Sequence, residues 1–215
     1  MIWIGLLLLA AALFFALCNL WAEHTAGISS EKNLDALTAE MAESAASASG
    51  EPAIPEPSAP VTAAPRAMAE LEVDGFYYIG TLNIPCFDIS LPVLSGWSYE
   101  KMDISPCRYQ GSVRTDDLIL CGHNYRRHLG PLSRIQPGDE VIFVDVEEQS
   151  IRYTVTQVEI LDETAIQEMT QGDWDLTMFT CTLGGNERIT VRCDRTPILP
   201  DESLEHQPTA QKNQQ

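Results

Sequence analysis

Short apolar runs separated by turn residues dominate the chain between Phe76 and Thr196. Glycine, proline and aspartate separate these runs, and β-branched side chains are frequent within them. Runs of this kind predict strands, and no long amphipathic helix pattern interrupts them. The segment is therefore predicted to be all-β, a sandwich or a barrel, with strands at residues 77–84, 88–93, 117–122, 140–146, 151–160, 176–181 and 188–193.

Two local patterns refine this prediction. Within residues 151–160 the alternation of apolar and polar positions slips after Val155, which predicts a β-bulge. Residues 98–102 and 164–169 are each predicted to form one or two turns of helix.

A continuous apolar run lies at the start of the chain. Residues 2–22 carry no charged side chain, and Trp3 and Trp21 stand at the two ends of the run. As a helix rising about 1.5 Å per residue, the run would span about 30 Å, the thickness of a membrane's hydrocarbon core. A cleaved signal peptide has a shorter apolar core and a basic start. Residues 1–22 are therefore predicted to be an uncleaved transmembrane anchor.

The next segment, residues 23–75, is rich in alanine, serine, proline and acidic residues. It contains no aromatic side chain before Phe76, so it cannot bury enough apolar surface to offset its conformational entropy. We expect a disordered acidic stalk, with a helical stretch where Leu34, Leu37 and Met41 have helical spacing. The polar residues 197–215 are predicted to be a disordered tail, which leaves residues 76–196 as the folded domain.

The charge balance excludes one class of partner. The chain has 13 Lys and Arg residues against 31 Asp and Glu residues, for a net charge of -18. Nucleic-acid binding needs a basic surface that neutralises phosphates, so no nucleic-acid partner is expected. Nearly all the arginine lies in residues 76–196, which suggests a specific use of guanidinium groups there.

The last two predicted strands place a thiol beside a guanidinium group. Residues 182–187 contain two glycines and predict a hairpin loop, so Cys181 and Arg188 become cross-strand neighbours with Cβ atoms about 5 Å apart. With Ile189 and Val191 facing the core, Arg188 and Arg192 are expected to point outward. A guanidinium group lowers a thiol pKa and can hydrogen-bond an oxyanion.

A base for this thiol is available at the end of another predicted strand. His123 follows the strand 117–122 and is flanked by Gly122 and Asn124, a position where a scaffold presents a side chain to a substrate. Cys181, His123 and Arg188 thus form a candidate acyl-transfer set of nucleophile, acid/base and oxyanion stabiliser. On spacing alone, a surface histidine and a small core cysteine remain open alternatives.

The other cysteines and the acidic residues predict no metal site. Cys121, Cys181 and Cys193 lack the Cys-x2–4-Cys spacing of zinc sites, and no cofactor is expected. The possibility of a disulfide between Cys86 and Cys107 stays open, because disulfides form outside the cytosol. Four acidic residues are interpreted as a solvated surface instead of a calcium site: Asp116, Asp117, Glu163 and Glu168.

Several segments of the domain resemble the sortases, membrane-anchored cysteine transpeptidases of Gram-positive bacteria. They are Ile-Gly-Thr-Leu-Asn-Ile-Pro at 79–85, Gly-His-Asn at 122–124, Leu-Thr-Met-Phe-Thr-Cys at 176–181 and Arg-Ile-Thr-Val-Arg at 188–192. The Leu-Thr-x-x-Thr-Cys strand is the most specific of them. Together the matches are distributed over nearly the whole of residues 76–196, and they follow the order of the family.

The resemblance implies a fold, a reaction and a role for each site residue. The fold is an eight-stranded sortase-type β-barrel with short helices, and the substrate is a Leu-Pro-x-Thr-Gly-like sorting signal cleaved after Thr. The acyl group passes through a thioester on Cys181 to an amine of a peptidoglycan precursor or another acceptor. His123 is implied as general acid/base and Arg188 as the residue that holds substrate and oxyanion. Further substrate-binding residues are expected at Thr180, Asn124 and Arg192.

The resemblance also implies a place in the cell, and it leaves alternatives open. The catalytic domain is expected outside a single-pass cell membrane protein. No Asp-Pro-aromatic lid motif and no second apolar span occur, and the connection between Ile160 and Leu176 is short. These features favour a housekeeping-like or a class D/B-like sortase. A cysteine peptidase that hydrolyses such a motif and a catalytically silent surface scaffold are the alternatives.

Overall fold

The structure of the protein is a computed structural model that describes residues 2–48 and 67–197. The helices are α1 (Ile2–Ala48), α2 (Tyr99–Met102) and α3 (Ile166–Thr170), with short 3-10 helices at Pro85–Phe87 and Gly130–Arg134. The strands are β1 (Leu71–Val73), β2 (Phe76–Ile84), β3 (Ile89–Leu94), β4 (Cys107–Gln110), β5 (Leu118–Cys121), β6 (Glu140–Asp145), β7 (Ser150–Asp162), β8 (Leu176–Cys181) and β9 (Glu187–Arg195).

The strands close into a barrel. The described residues form one nine-stranded sheet in the order β1-β2-β3-β4-β5-β8-β9-β7-β6, and β2 also pairs with β6. The three-residue β1 pairs only with β2 among them, so the other eight strands make the closed ring. The predicted eight-stranded all-β barrel is confirmed. Closure removes the exposed sheet edges that would otherwise pair with other chains.

Period-2 alternation fills the interior of the barrel. In β6, Val141 and Phe143 are fully buried, while Ile142 and Val144 between them are only partly covered. They join a central core of apolar side chains from most of the strands, which includes Leu82, Val93, Leu120, Val155, Met178 and Val191.

The β-bulge and the two short helices predicted from the sequence are present. The register of β7 against β9 shifts between Val155 and Gln157, which is the expected bulge. Helix α2 begins after Ser98, whose hydroxyl accepts a hydrogen bond from the Lys101 amide at 3.2 Å. Helix α3 occupies the second predicted helical stretch.

The sequence does not predict two strands, β1 and β4, and β4 contributes to the site. Strand β4 has the sequence Cys-Arg-Tyr-Gln, which has no apolar alternation, and it pairs with β3 only at Leu94 and Cys107. Its pairing with β5 contains a further register shift. Strand formation there is imposed by the neighbouring strands, a tertiary effect that local propensity does not reveal.

The N-terminal helix differs from the predicted anchor. Helix α1 continues without a break past residue 22 and ends at Ala48. Within residues 2–48 and 67–197, no helix combines the length and the hydropathy that a membrane crossing requires. The predicted transmembrane span at residues 2–22 is therefore not supported.

The second half of α1 also differs from the predicted stalk, because it packs against the barrel. Leu37 and Met41 are buried with Val73, Tyr78 and Leu94 in a second apolar cluster. The helical spacing of the sequence identifies these inward positions, but the polar composition around them predicts a solvated segment. The remaining residues of the predicted stalk, 49–66, and nearly all of the predicted tail lie outside the described residues.

Candidate active site

The hairpin of β8 and β9 brings Cys181 and Arg188 together. The two residues are directly opposed in the antiparallel register, which confirms the prediction from the loop length. Directly opposed Cβ atoms in such a pair are about 5 Å apart. Both residues are partly exposed at the end of the barrel where the hairpin loop begins.

A pair of parallel strands brings His123 to the same end. Strands β5 and β8 are parallel neighbours, and Cys121 is level with Phe179. The Gly122 amide continues the ladder with a 3.3 Å bond to the Phe179 carbonyl. His123 and Cys181 each lie two residues beyond that level, so the strand ends carry the imidazole and the thiol side by side. His123, Cys181 and Arg188 line one cavity.

Two of the predicted substrate-binding residues connect the segments that carry the imidazole and the thiol. The Thr180 hydroxyl is buried and donates to the Gly122 carbonyl at 2.8 Å. The Asn124 side-chain amide donates to the Thr182 carbonyl at 3.1 Å. These bonds fix the relative position of His123 and Cys181, and Asn124 is also accessible from a cavity beside Cys181.

The loop after His123 is shaped by a close backbone approach. The Leu129 amide donates to the His123 carbonyl at 3.2 Å, and the Gly130 amide donates to the Tyr125 carbonyl at 3.0 Å. A Cβ atom on Gly130 would lie only 2.5 Å from the Asn124 carbonyl oxygen. Glycine is therefore required at this position for the loop to fold back under His123.

Asp103 is a site residue that the sequence does not reveal. Its Oδ1 lies 3.2 Å from His123 Nε2, and it caps the end of α2, twenty positions before the histidine. An acceptor at Nε2 selects the imidazole tautomer that carries its proton there, which leaves Nδ1 to exchange protons. No local pattern connects the two residues, because the contact depends on how α2 folds onto the barrel.

Backbone carbonyls orient Arg188. Its Nη1 donates to the Gly185 carbonyl at 2.8 Å and to the Glu187 carbonyl at 3.1 Å. Nη2 is 3.9 Å from Glu163 Oε2. The guanidinium group is thus held at the hairpin end while it lines the cavity that contains Cys181.

Arg192, the third predicted substrate-binding residue, does not lie where the sequence places it. It is 2% exposed instead of pointing outward. Its Nε contacts Glu159 Oε1 at 2.9 Å, and Nη1 donates to the Met169 carbonyl at 2.9 Å and to the Thr177 hydroxyl at 3.1 Å. Helix α3 lies over Arg192, so the outer face of β9 is buried at Thr190 and Arg192 and accessible only toward its ends, at Arg188 and Asp194.

An aromatic groove lies on one side of Cys181. We use this name for the cavity of about 190 Å³ that Trp97, Tyr99, Tyr109 and Phe179 line together with residues of α3. The rings of Trp97 and Tyr109 stack at 5.4 Å, and Tyr109 meets Phe179 edge-on at 5.3 Å. Trp97 precedes α2 and Tyr99 begins it, and both are exposed. Two large aromatic residues next to Gly96, Ser98 and Glu100 are a signal in the sequence that could have marked them as binding residues.

A second cavity, of about 430 Å³, lies on the other side of Cys181. We call it the arginine pocket because Arg126 and Arg134 line it, together with Asn124, Ser133 and several apolar side chains. Cys181 is accessible from both cavities. The thiol therefore lies at the junction of an apolar, ring-lined groove and a more polar pocket.

The family to which this arrangement belongs follows from comparison with known domains. A family model described as a sortase domain matches residues 82–196, more than half of the chain. The chain belongs to the sortase family. The family consists of cysteine transpeptidases that attach proteins to the cell wall, and its match spans β5, β8 and β9, which carry the three residues around the cavity. The chain matches no curated protein.

Solved sortases share the fold of this sortase domain. Sortase C1 from Streptococcus agalactiae is 24% identical, with a TM-score of 0.51 over 59% of this chain and 72% of that chain. Sortase A from Corynebacterium diphtheriae is 18% identical, with a TM-score of 0.53 over 59% and 64%. Clostridium perfringens sortase C, solved with the C-terminal cell wall sorting motif, is 22% identical, with a TM-score of 0.50 over 56% and 71%. Both C-type and A-type enzymes are similar, so the subclass stays open.

The other cysteines of the barrel differ from Cys181 in accessibility. Burial raises the pKa of Cys107 to about 12, and it raises the pKa of Cys121 and of Cys193 further. Cys86 is exposed, and its pKa is raised by partial desolvation and by Asp139. All the described cysteines are free, so the disulfide between Cys86 and Cys107 is not formed.

Three of the four carboxylates considered for calcium, those of Asp116, Asp117 and Glu163, are engaged in other contacts. Asp116 is paired with Arg195 at 2.6 Å, and Asp117 accepts the Ser112 amide at 2.9 Å. Glu163 faces Arg188, and the Glu168 carbonyl contacts Arg192. Within the described part of the chain, no three acidic, histidine or cysteine side chains are grouped for a metal ion.

Proposed function

We propose that the protein cleaves a Leu-Pro-x-Thr-Gly-like sorting signal through a thioester on Cys181 and transfers the acyl group to an amine. The observation that carries this proposal is the convergence of Cys181, His123 and Arg188 on one cavity, with Cys181 also accessible from a second. A nucleophile, an acid/base and a cationic donor around one open space are the components of acyl transfer.

The residues divide the reaction as follows. The Cys181 thiol gives its proton to His123 as the sulfur attacks the threonine carbonyl carbon, and the carbonyl oxygen takes up negative charge that the Arg188 guanidinium stabilises. The C–N bond then breaks as His123 gives a proton to the leaving glycine amine. An incoming amine next loses a proton to His123 and attacks the thioester. The C–S bond breaks, the new amide bond forms, and His123 returns the proton to the Cys181 sulfur.

The aromatic groove fits the apolar half of such a signal. Proline packs well on flat aromatic faces, and leucine gains from burial against rings and against Met169 of α3. Leu-Pro in this groove would place the threonine carbonyl at Cys181. The amine side of the scissile bond would then face the arginine pocket.

Peptide turnover tests the proposal and separates it from the alternatives. The full chain is incubated with a Leu-Pro-x-Thr-Gly peptide, with and without triglycine, and the products are identified by mass spectrometry. A ligated product supports the transpeptidase, and hydrolysis alone indicates a peptidase. No turnover with a panel of sorting motifs would indicate a catalytically silent scaffold.

Replacing Arg188 with lysine is expected to lower the ligation rate by about 10²–10³-fold, the usual effect of losing one oxyanion donor. Lysine keeps the charge but lacks the planar fork, so little activity should return. The free energy of unfolding, measured by chemical denaturation, should change little, because the guanidinium group is at the surface.

The matched control lies on the same strand. Arg192→Lys should lower the free energy of unfolding by about 2–4 kcal/mol, because it removes buried, charge-assisted hydrogen bonds. The ligation rate per folded molecule of this variant should stay close to that of the unmodified protein. A larger loss of ligation rate per folded molecule at Arg192 than at Arg188 would show that Arg192, and not Arg188, holds the substrate.

Asp103 is expected to act as a positioning residue through His123. Asp103→Ala should reduce kcat/KM about fivefold to tenfold, the effect of one lost hydrogen bond, whereas Asp103→Asn keeps an acceptor and should retain most of the rate. Glu100→Gln, an exposed change in α2, is the control. Equal losses in the Ala and Asn variants would show that the hydrogen bond to Nε2 does not orient the imidazole.

We also propose that the barrel lies outside the cell, where sorting signals of surface proteins and cell-wall amines meet. Protease added to intact protoplasts should then digest the barrel. A barrel that stays protected until the cells are lysed would contradict this location.

A further inference from the structure

The arginine pocket has a charge opposite to that of the chain. Among the described residues that line it, Arg126 and Arg134 are charged and none is acidic. The whole chain carries a net charge of -18. A pocket of about 430 Å³ beside Cys181 that gathers two cations therefore stands out as a site for a negatively charged group.

Arg134 is held beside the pocket by an aromatic ring. The guanidinium carbon lies 5.1 Å above the centroid of the Phe87 ring, which also lines the pocket. A cation over the face of an aromatic ring is attracted by the ring, and this contact keeps the positive charge of Arg134 beside the pocket. Seven arginines in the described part of the barrel contact a carboxylate: Arg108, Arg114, Arg127, Arg152, Arg188, Arg192 and Arg195.

Arg126 comes from the loop that presents His123. It lies three positions after the histidine and is exposed to the pocket. The neighbouring Arg127 points to a different partner, since its Nη1 is 3.3 Å from Glu31 of α1. The loop therefore places Arg126 at the arginine pocket, and both Arg126 and Arg127 line a neighbouring cavity with Glu31 and Asp88.

We propose that the arginine pocket binds a carboxylate on the amine side of the reaction, and that this sortase favours amines that carry a carboxylate near the reacting nitrogen. The inference rests on the proposed function, because Leu-Pro in the aromatic groove leaves this pocket for the amine. A carboxylate there meets the positive charge of Arg126 and Arg134, and Asn124 and Ser133 add polar groups. The carboxylate belongs either to the acceptor amine or to the leaving segment of the sorting signal.

The test compares amines that differ only in a carboxylate. The full chain reacts with a neutral donor, Leu-Pro-x-Thr-Gly with an amidated end, and with diglycine or diglycinamide as acceptor. We expect kcat/KM to be about tenfold higher for diglycine at low salt, the size of one charge-assisted hydrogen bond, and the ratio to fall as salt is added. Equal kcat/KM for the two acceptors at low salt would show that the pocket does not bind a carboxylate of the acceptor amine.

A second arm tests the leaving segment. Donors with Asp or Asn after the glycine are compared for the rate at which the Cys181 thioester forms. A preference for Asp assigns the carboxylate to the sorting signal, and a preference for diglycine assigns it to the acceptor. If neither preference is found, the proposal is wrong.

Charge variants connect either preference to the pocket. Arg126→Gln and Arg134→Gln should each bring the acid-to-amide ratio down to about twofold, a loss of most of the charge-assisted bond. Arg127→Gln, which faces Glu31, is the control and should keep the ratio of the unmodified protein. An acid preference that persists in the Arg126→Gln/Arg134→Gln double variant would place the carboxylate elsewhere.

Binding to an inactive protein separates this inference from the proposed function. Calorimetry with Cys181→Ala protein should show diglycine binding several-fold more tightly than diglycinamide, with the difference lost when Arg134 is replaced by Gln. If no donor forms a thioester, the proposed function fails and this measurement decides the inference alone. Equal affinity for the acid and the amide would reject the carboxylate site.

Discussion

Replacing Cys181 with alanine is expected to abolish both thioester formation and ligation. The sulfur is the atom that bonds to the acyl group, and no nearby side chain can substitute for it. The expected loss exceeds the ~10⁴-fold upper range for a general acid–base group, because the covalent route itself is removed. Mass spectrometry of the protein after incubation with donor peptide, quenched with acid, measures the acyl adduct directly.

The other thiols of the barrel supply the control. Cys86→Ala should keep most of the ligation rate, because Cys86 is exposed away from the groove and its pKa is raised by desolvation and by Asp139. Cys121 lines the aromatic groove, but burial raises its pKa so that it stays a neutral thiol. An acyl adduct that is trapped on any cysteine other than Cys181 would contradict the assignment.

The hairpin part of the site could be predicted because it depends on local rules. The length of the loop after Cys181 sets the strand register, and the register makes Arg188 its neighbour. The bulge in β7 follows from a slip of the apolar alternation that is visible in the sequence. Features that two adjacent strands determine between themselves are accessible without a structure.

Contacts made across the barrel could not be predicted in this way. Arg192 has the same position in the strand pattern as Arg188, and only the packing of α3 decides that one is buried and the other is not. Asp103 reaches His123 through the placement of α2, and Tyr109 enters the groove from a strand with no apolar pattern. Each depends on an element that is remote in sequence.

The packing of the N-terminal helix likewise could not be predicted from its own sequence. Composition predicts solvent exposure for residues 23–48, yet Leu37 and Met41 are buried because a complementary apolar face exists on β1 and β3. Lys32 and Asp74 add an exposed ion pair at 3.9 Å, which contributes little to stability. The partner surface, and not the helix sequence alone, determines whether such a segment packs.

Replacing His123 with alanine is expected to lower kcat/KM for a peptide donor by about 10²–10⁴-fold, the usual contribution of general acid–base catalysis. An amine is a poor leaving group unless it is protonated as the C–N bond breaks. Partly exposed His123, oriented by Asp103, is placed to deliver that proton. The ligation rate with triglycine measures the loss, and thermal unfolding checks that the variant is folded.

A change of leaving group makes the test specific for the acid role. In a depsipeptide donor an ester replaces the Thr–Gly amide, and the alcohol it releases needs much less help from an acid than an amine does. The rate of thioester formation in His123→Ala should therefore fall at least about tenfold less for the ester than for the amide, within the range of one acid-catalysed step. His128 is unsuitable as a control because it is fully buried, so Glu100→Gln serves instead. If the variant loses the same factor with both donors, His123 acts on the thiol or on the structure of the site and not on the leaving amine.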